Sequence, residues 1–327
     1  MKRAITVTTI VALGFASVLN AFEPSELKKR SDRGYKIEKE QWKVPNLKDI
    51  PNNKYGELVK YGRELIVNTS KYIGPEVDDM GMRYAGNNNQ CQNCHLDAGT
   101  KQYSAPFIGT YGEFPQYRPR EDGIGTLTAR INGCMMRSMN GYPLPAEGKE
   151  MKAMKAYMHW LSQGIPVGAA SKMEGRRLKK IDRKMVKKQA ADPVKGKVVY
   201  DMYCASCHGQ NGEGMKKAGK AEGYIYPALW GTDDTYNKGA GMYRILKAAD
   251  FIKSNMPLGA THDNPILTDE QAYDVAAYMN QDSHYRPEKI NRTSDFPDAR
   301  VKAPDVYRPS MENFDHKFGP YGKMIKK

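Results

Sequence analysis

Apolar residues recur at helical spacing in separated stretches of the chain, and the intervening segments are polar and rich in Gly and Pro. Lys54 to Asn68 predicts a helix, and Glu150 to Gln163 predicts another, with Met151, Met154, Met158 and Leu161 along one face. Pro193 to Tyr203 predicts a third, in which Gly196 and Tyr200 stand where two terminal helices would cross closely. A fourth opens at Thr268, whose hydroxyl can cap it while Gln271 completes a capping box. Ala272, Val275, Ala276 and Met279 then follow an i, i+3, i+4, i+7 stripe. A shorter helix is expected from Met242 to Ile252. The stripes read as core. Helix, long excursion, helix, repeated twice, predicts a mainly α protein built of two similar halves.

The repeat divides the chain into a first domain at 54–165 and a second at 193–285. The segment 166–192 between them carries Arg176, Arg177, Lys179, Lys180, Arg183, Lys184, Lys187 and Lys188 and reads as a solvated basic linker. Residues 22–53 and 286–327 lack periodicity and are expected to be extensions that wrap the two domains. Residues 1–21 have the form of an export signal: Met1-Lys2-Arg3, an apolar stretch from Ala4 to Leu19, and a small residue, Ala21, suited to cleavage. This predicts a periplasmic protein with no stable membrane insertion once the signal is removed.

Composition narrows the class. The chain has 327 residues, of which 40% are hydrophobic, and a mean hydropathy of −0.71, which excludes a multi-span membrane protein. Met (18) and Tyr (21) are plentiful while Leu, Ile and Val are sparse. Cores of this size with few aliphatics call for a large apolar cofactor. The formal charge of +14 suits anionic small molecules, an acidic protein partner or an anionic membrane surface. No segment matches a nucleic-acid module, so that class is set aside.

Four of the five cysteines fall into two copies of one pattern, CQNCH at 91–95 and CASCH at 204–208. C-x-x-C-H attaches a c-type haem: each thiol adds to a porphyrin vinyl group, and the adjoining His binds the iron. A four-thiolate zinc site or a pair of redox dithiols would explain the cysteines, but neither explains a His after both pairs. Two covalently bound haems c are therefore expected, attached through Cys91 and Cys94 and through Cys204 and Cys207, with His95 and His208 as proximal ligands.

The distal ligands differ between the halves. Met256, 48 residues after His208 in a loop with Pro257, is the candidate for the second haem, with Met242 as the other possibility. At a similar distance from His95 the chain offers Met135, Met136 and Met139, and also Cys134, the one cysteine unaccounted for, 39 residues after His95. A thiolate there would lower the haem potential and would be a nucleophile toward sulfur. Arg118, Arg120, Arg130 and Arg137 bracket Cys134, and Ser138 adds a hydroxyl. Guanidinium groups bind oxyanions in a fork-like geometry, so Arg120, Arg130, Arg137 and Ser138 are the candidates to hold a small divalent anion.

CQNCH, the stretch RINGCMMRSMNGYPLP at 130–145, CASCH and NMP at 255–257 resemble the thiosulfate dehydrogenase family of dihaem cytochromes c, over roughly residues 55–285. The resemblance implies two tandem class I cytochrome c domains, a His/Cys active-site haem and a His/Met electron-transfer haem. It also implies oxidation of two thiosulfates to tetrathionate, a reaction that some members run in reverse. A soluble electron-transfer protein such as a small cytochrome c would take the electrons. Members with a Lys just before the second-haem Met exchange ligands on reduction; this chain has Asn255 there. Two other functions share parts of the pattern, a non-catalytic dihaem electron carrier and a carrier-dependent sulfur-oxidation cytochrome.

Overall fold

The computed structural model describes residues 42–118, 123–288 and 317–323. The export signal, most of both terminal extensions and Arg120 lie outside the described residues.

The first half is built on α1 (Lys54–Val67), a short α2 (Thr69–Ile73), α3 (Leu127–Met135) and α4 (Lys149–Trp160). Asn53 starts α1 by accepting the Gly56 N–H on its side chain. Crossing helices α1 and α4 meet at Gly62, where a Cβ would come 2.0 Å from the Ala153 carbonyl oxygen. A two-stranded ribbon, β1 (Gln116–Arg118) with β2 (Gly123–Gly125), runs antiparallel into α3. The Thr126 hydroxyl caps α3 by accepting from Ala129 N.

The second half repeats the plan with α5 (Arg183–Lys188), α6 (Pro193–Tyr203), a single turn α7 (Ala205–His208), the ribbon β3 (Met215–Lys216) with β4 (Tyr224–Tyr226), α8 (Ile245–Asn255) and α9 (Asp269–Met279). Helices α6 and α9 cross at Gly196, where a Cβ would lie 2.0 Å from the Asp274 carbonyl oxygen. Tyr278 packs there as Tyr157 does against Gly62. The capping box is present: Gln271 N donates to Thr268 Oγ1 at 3.1 Å, and Thr268 N donates to Gln271 Oε1 at 2.8 Å.

Two expectations change. The helix expected from Met242 to Ile252 starts three residues later, at Ile245, and runs to Asn255. Met242 instead sits in a 3-10 turn, Gly241–Tyr243, tied by Asn280 Nδ2 to its carbonyl. The basic segment is only half a solvated linker. Its lysines 179, 180, 184 and 188 face solvent, but Ile181, Val186 and Ala191 are buried. Two of its three arginines turn inward: Arg183 Nη2 meets both Asp250 carboxylate oxygens at 2.8 and 2.6 Å, and Arg176 reaches Glu113. A delocalised guanidinium tolerates this burial beside a carboxylate better than a strongly hydrated ammonium does.

The described parts of the extensions lie on the domains. Trp42 Nε1 donates to Thr100 O at 3.2 Å. At the other end Tyr321 is fully buried, and the Phe318 carbonyl accepts from the Tyr273 hydroxyl and from Ala191 N.

A polar seam joins the halves. The loop between β3 and β4 brings the Ala221 carbonyl to Ser70 Oγ at 2.7 Å and Ala221 N to Glu76 at 3.0 Å. Asp234 accepts from Asn88 N and pairs with Lys216. Asn87 Nδ2 donates to Ser138 O and to Thr235 O, and Asn237 Nδ2 donates to Met136 O and Asn140 Oδ1. The loop that follows Cys134 is thus bolted to the second half, which fixes one cleft against the other.

Candidate functional site

Both C-x-x-C-H motifs open onto one continuous cavity of about 720 Å³. On the first-half wall, Gln90 and Asn93 cap the 3-10 turn Cys91–Asn93, and Thr69 Oγ1 accepts from Cys91 N at 3.0 Å. His95 Nδ1 donates to the Ala105 carbonyl at 2.5 Å. A carbonyl can only accept, so Nδ1 carries the proton and Nε2 is left as the ligating nitrogen. His208 is held the same way, Nδ1 to Pro227 O at 2.8 Å, and burial keeps its pKa below the ordinary value.

All five cysteines are free of disulfides, and among the described residues no three His, Cys, Asp or Glu side chains converge as a metal site would require. The zinc reading therefore lacks its geometry. Paired thiols and a carbonyl-locked imidazole on the wall of a largely apolar cavity fit a covalently attached haem in each half. Met154 and Met158, expected as core, are buried and also form part of that wall.

The thiols fall into two kinds. Burial pushes Cys91 up to about 11, and Cys94 and Cys204 up to about 12. Cys134 goes the other way. Burial would raise it as well, but the Arg130 charge, the neighbouring His95 and the Arg137 charge outweigh burial and bring it down to about 5. Arg130 and Cys134 are one turn apart on α3, and Arg130 Nη1 donates to Cys134 Sγ at 2.7 Å. Arg137 is buried and folds back over α3, its Nη2 packed against Gly133.

Arg130, Cys134 and Ser138 line the cavity together, and Arg137 is not part of that lining. Met256 follows α8 in extended conformation and lines the second-half wall, as does Met242.

Sequence reasoning missed three features. The carbonyls of Ala105 and Pro227 have no side-chain signature. Arg176 was assigned to a linker but lines the Cys134 part of the cavity beside Glu113; an Arg in a Lys-rich run was the available signal. The third is a contact between the halves: Asn255 Nδ2, next to Met256, donates to Tyr103 O at 3.1 Å, and the Tyr103 ring packs on His262 at 4.2 Å. Tyr103 and Ala105 both have φ near +55°, a conformation costly for residues with a Cβ. The segment that carries the His95 acceptor is thus braced by the segment that carries Met256.

Residues 82–167 match the family described as SoxA/TsdA, cytochrome c domain, and residues 193–283 match Cytochrome c. A thiosulfate dehydrogenase of Stutzerimonas stutzeri is 39% identical over 280 residues, covering 86% of this chain and 83% of that protein. The chain belongs to the thiosulfate dehydrogenase family. Its relative from Thiomonas intermedia, also a thiosulfate dehydrogenase, is 37% identical over 73% of this chain and 69% of its own. The solved thiosulfate dehydrogenase (TsdBA) of Marichromatium purpuratum superposes with a TM-score of 0.67 at 33% identity over 76% of this chain, which spans half of that longer chain. As a member of the thiosulfate dehydrogenase family with two cytochrome c domains, the protein carries two covalently bound haems c.

Proposed function

We propose that the chain joins two thiosulfate dianions into tetrathionate at Cys134 and delivers the two electrons to a redox partner through its second half. The observation that carries this reading is the Cys134 sulfur, which accepts from Arg130 Nη1 in the cavity that both C-x-x-C-H motifs share. Cys91, Cys94 and His95, with Cys134 opposite, would hold one haem; Cys204, Cys207 and His208, with Met256, would hold the other. Bound there, the two haems supply two one-electron acceptors, the number that joining two thiosulfates releases.

The residues divide the work. Arg130 and Ser138, with Arg120, neutralise and orient the first thiosulfate beside Cys134, and Arg137 adds its charge to the Cys134 side. The Cys134 sulfur bonds to the terminal sulfur of thiosulfate, two electrons leave, and a Cys134 thiosulfonate results. The terminal sulfur of a second thiosulfate attacks the sulfur of that adduct in line, forming the central S–S bond of tetrathionate and returning Cys134 as a thiolate. Run backward, the second step splits tetrathionate on Cys134, which supports tetrathionate reduction by the same residues.

Export by residues 1–21 would put this chemistry in the periplasm, with a soluble electron-transfer protein such as a small cytochrome c as acceptor. Among the described residues no helix is long and apolar enough to cross a membrane.

The test is steady-state reduction of an artificial acceptor by thiosulfate, comparing the haem-loaded chain with Cys134→Ala. Turnover in the parent and its loss in a variant that retains both haems is the expected result. A parent that does not turn over, or a variant that keeps more than about a tenth of the rate, contradicts the reading, since positioned catalytic groups are worth roughly 10²-fold or more.

A further inference from the structure

Arg176 lies in the basic segment between the halves, yet it lines the cavity alongside Thr110, Glu113 and Arg130. Both of its side-chain hydrogen bonds leave from one nitrogen: Nη2 donates to Thr110 Oγ1 at 2.7 Å and to Glu113 Oε2 at 2.6 Å. Arginine–carboxylate pairs are frequently bidentate, with two nitrogens on two carboxylate oxygens. Here Nε is buried and has no partner, and buried N–H groups are nearly always paired. The side chains of Arg176 and Glu113 are only 13% and 15% exposed, so the donor is shut away from bulk water.

Charge points the same way. Arg130 is close enough for its positive charge to act on Arg176, and both face a wall where Glu113 supplies one carboxylate. Arg130 is already committed to the Cys134 sulfur. The reaction proposed above brings a second dianion to a site already holding the first, and that second sulfonate needs a donor of its own.

We propose that Arg176 is an oxyanion-binding residue of the Cys134 cavity, oriented by Glu113 and Thr110. Its ligand is a sulfonate of the second thiosulfate, equivalently the far end of tetrathionate, or a carboxylate of the first-half haem. The sulfonate assignment rests on the thiosulfate reading; oxyanion binding itself does not.

The experiment uses the haem-loaded full chain, its Arg176→Gln and Arg176→Lys variants, and sulfate as an unreactive dianion. Sulfate affinity is measured by calorimetry, the first-half haem potential by redox titration across pH, and thiosulfate turnover in parallel. A sulfonate site predicts that Arg176→Gln weakens sulfate binding about tenfold or more, the effect of losing a hydrogen bond to a charged group, and raises KM for thiosulfate more than it lowers kcat. The haem potential stays put, and Arg176→Lys recovers part of the affinity. A haem-carboxylate site predicts the reverse: the potential and its pH dependence move while sulfate affinity does not. Unchanged sulfate affinity and unchanged potential at normal haem content overturn the proposal.

Should Arg176→Gln fail to load haem, Glu113→Gln gives a second readout. Freeing the guanidinium of its carboxylate should tighten sulfate binding or raise the potential. No change in either overturns the proposal as well. Because the sulfate and potential measurements need no turnover, a parent chain inactive on thiosulfate would overturn the functional reading without deciding this one.

Discussion

Gly62 and Gly196 mark equivalent helix crossings, His95 and His208 each lock Nδ1 on a backbone carbonyl, and each half carries its own C-x-x-C-H motif. What faces the histidine differs. In the first half it is Cys134, with Arg130 on its sulfur and the Arg137 charge acting on it. In the second half the candidates are the thioethers Met256 and Met242, on a wall with Phe251, Ile252 and Met279. In the proposed function one frame would serve two tasks, because the frame fixes only the proximal side. A charged distal wall makes a site for anion chemistry at sulfur, and an apolar wall with a thioether makes an electron relay of relatively high potential.

The comparison breaks first at Cys134. Cys134→Ala should cost about 10²-fold or more in thiosulfate turnover, measured as acceptor reduction, and leave the second-half haem spectrum unchanged. Arg130→Gln should follow with a loss of roughly tenfold or more in kcat/KM, since it removes a charge-assisted hydrogen bond to the reacting sulfur. Equal losses of thermal stability with no kinetic effect would reduce Arg130 to a packing residue.

On the other side, Met256→Gly should lower the second-half potential in a redox titration, because Met ligation raises it, and slow delivery to the acceptor while Cys134 chemistry survives. An unchanged potential would hand the ligand role to Met242. The shared frame can be tested by Gly62→Ala and Gly196→Ala. Each places a Cβ about 2.0 Å from a backbone carbonyl oxygen, so overpacking of about 1–3 kcal/mol outweighs the better helix propensity of Ala. Circular dichroism should show both variants melting earlier by similar amounts; a neutral effect in one half would mean that the repeat is not structurally equivalent.

The smallest effect concerns the seam. Burial opposes ionisation of Asp234, but Lys216, the Asn88 N–H and Tyr224 outweigh it and hold the carboxyl below its ordinary value. A carboxyl lowered in the folded state contributes stability above the ordinary carboxylate range and loses it as pH falls through the folded value. Asp234→Asn should therefore cost about 1 kcal/mol or less near neutrality, and the difference in Tm should vanish in acid.

Much of this was legible from residue patterns. The closing helix of each half shows its 3.6-residue stripe, Thr268 and Gln271 announce their cap, and C-x-x-C-H is a local chemical signature. Cys134 stood out because it was the cysteine left over. The remainder depended on distance along the chain. The seam joins Ser70 to Ala221 and Asn88 to Asp234, pairs 151 and 146 residues apart, and neither partner advertises the other. Arg176 looked like one more charge in a solvated run because its partner Glu113 lies 63 residues upstream. Met242 misled the helix boundary because its apolar side chain fits the stripe of α8, while the backbone at Gly241–Tyr243 turns before the helix begins. The brace from Asn255 to Tyr103 runs through a backbone carbonyl, which no side-chain pattern encodes.

Covalent attachment of Cys134 to half of the substrate can be read by peptide mass spectrometry of the haem-loaded chain after incubation with tetrathionate. The predicted result is one thiosulfonate group on the peptide containing Cys134, with one thiosulfate released per chain, and its removal by added thiosulfate with tetrathionate returned. An unmodified Cys134 in a chain that still interconverts thiosulfate and tetrathionate would contradict the account.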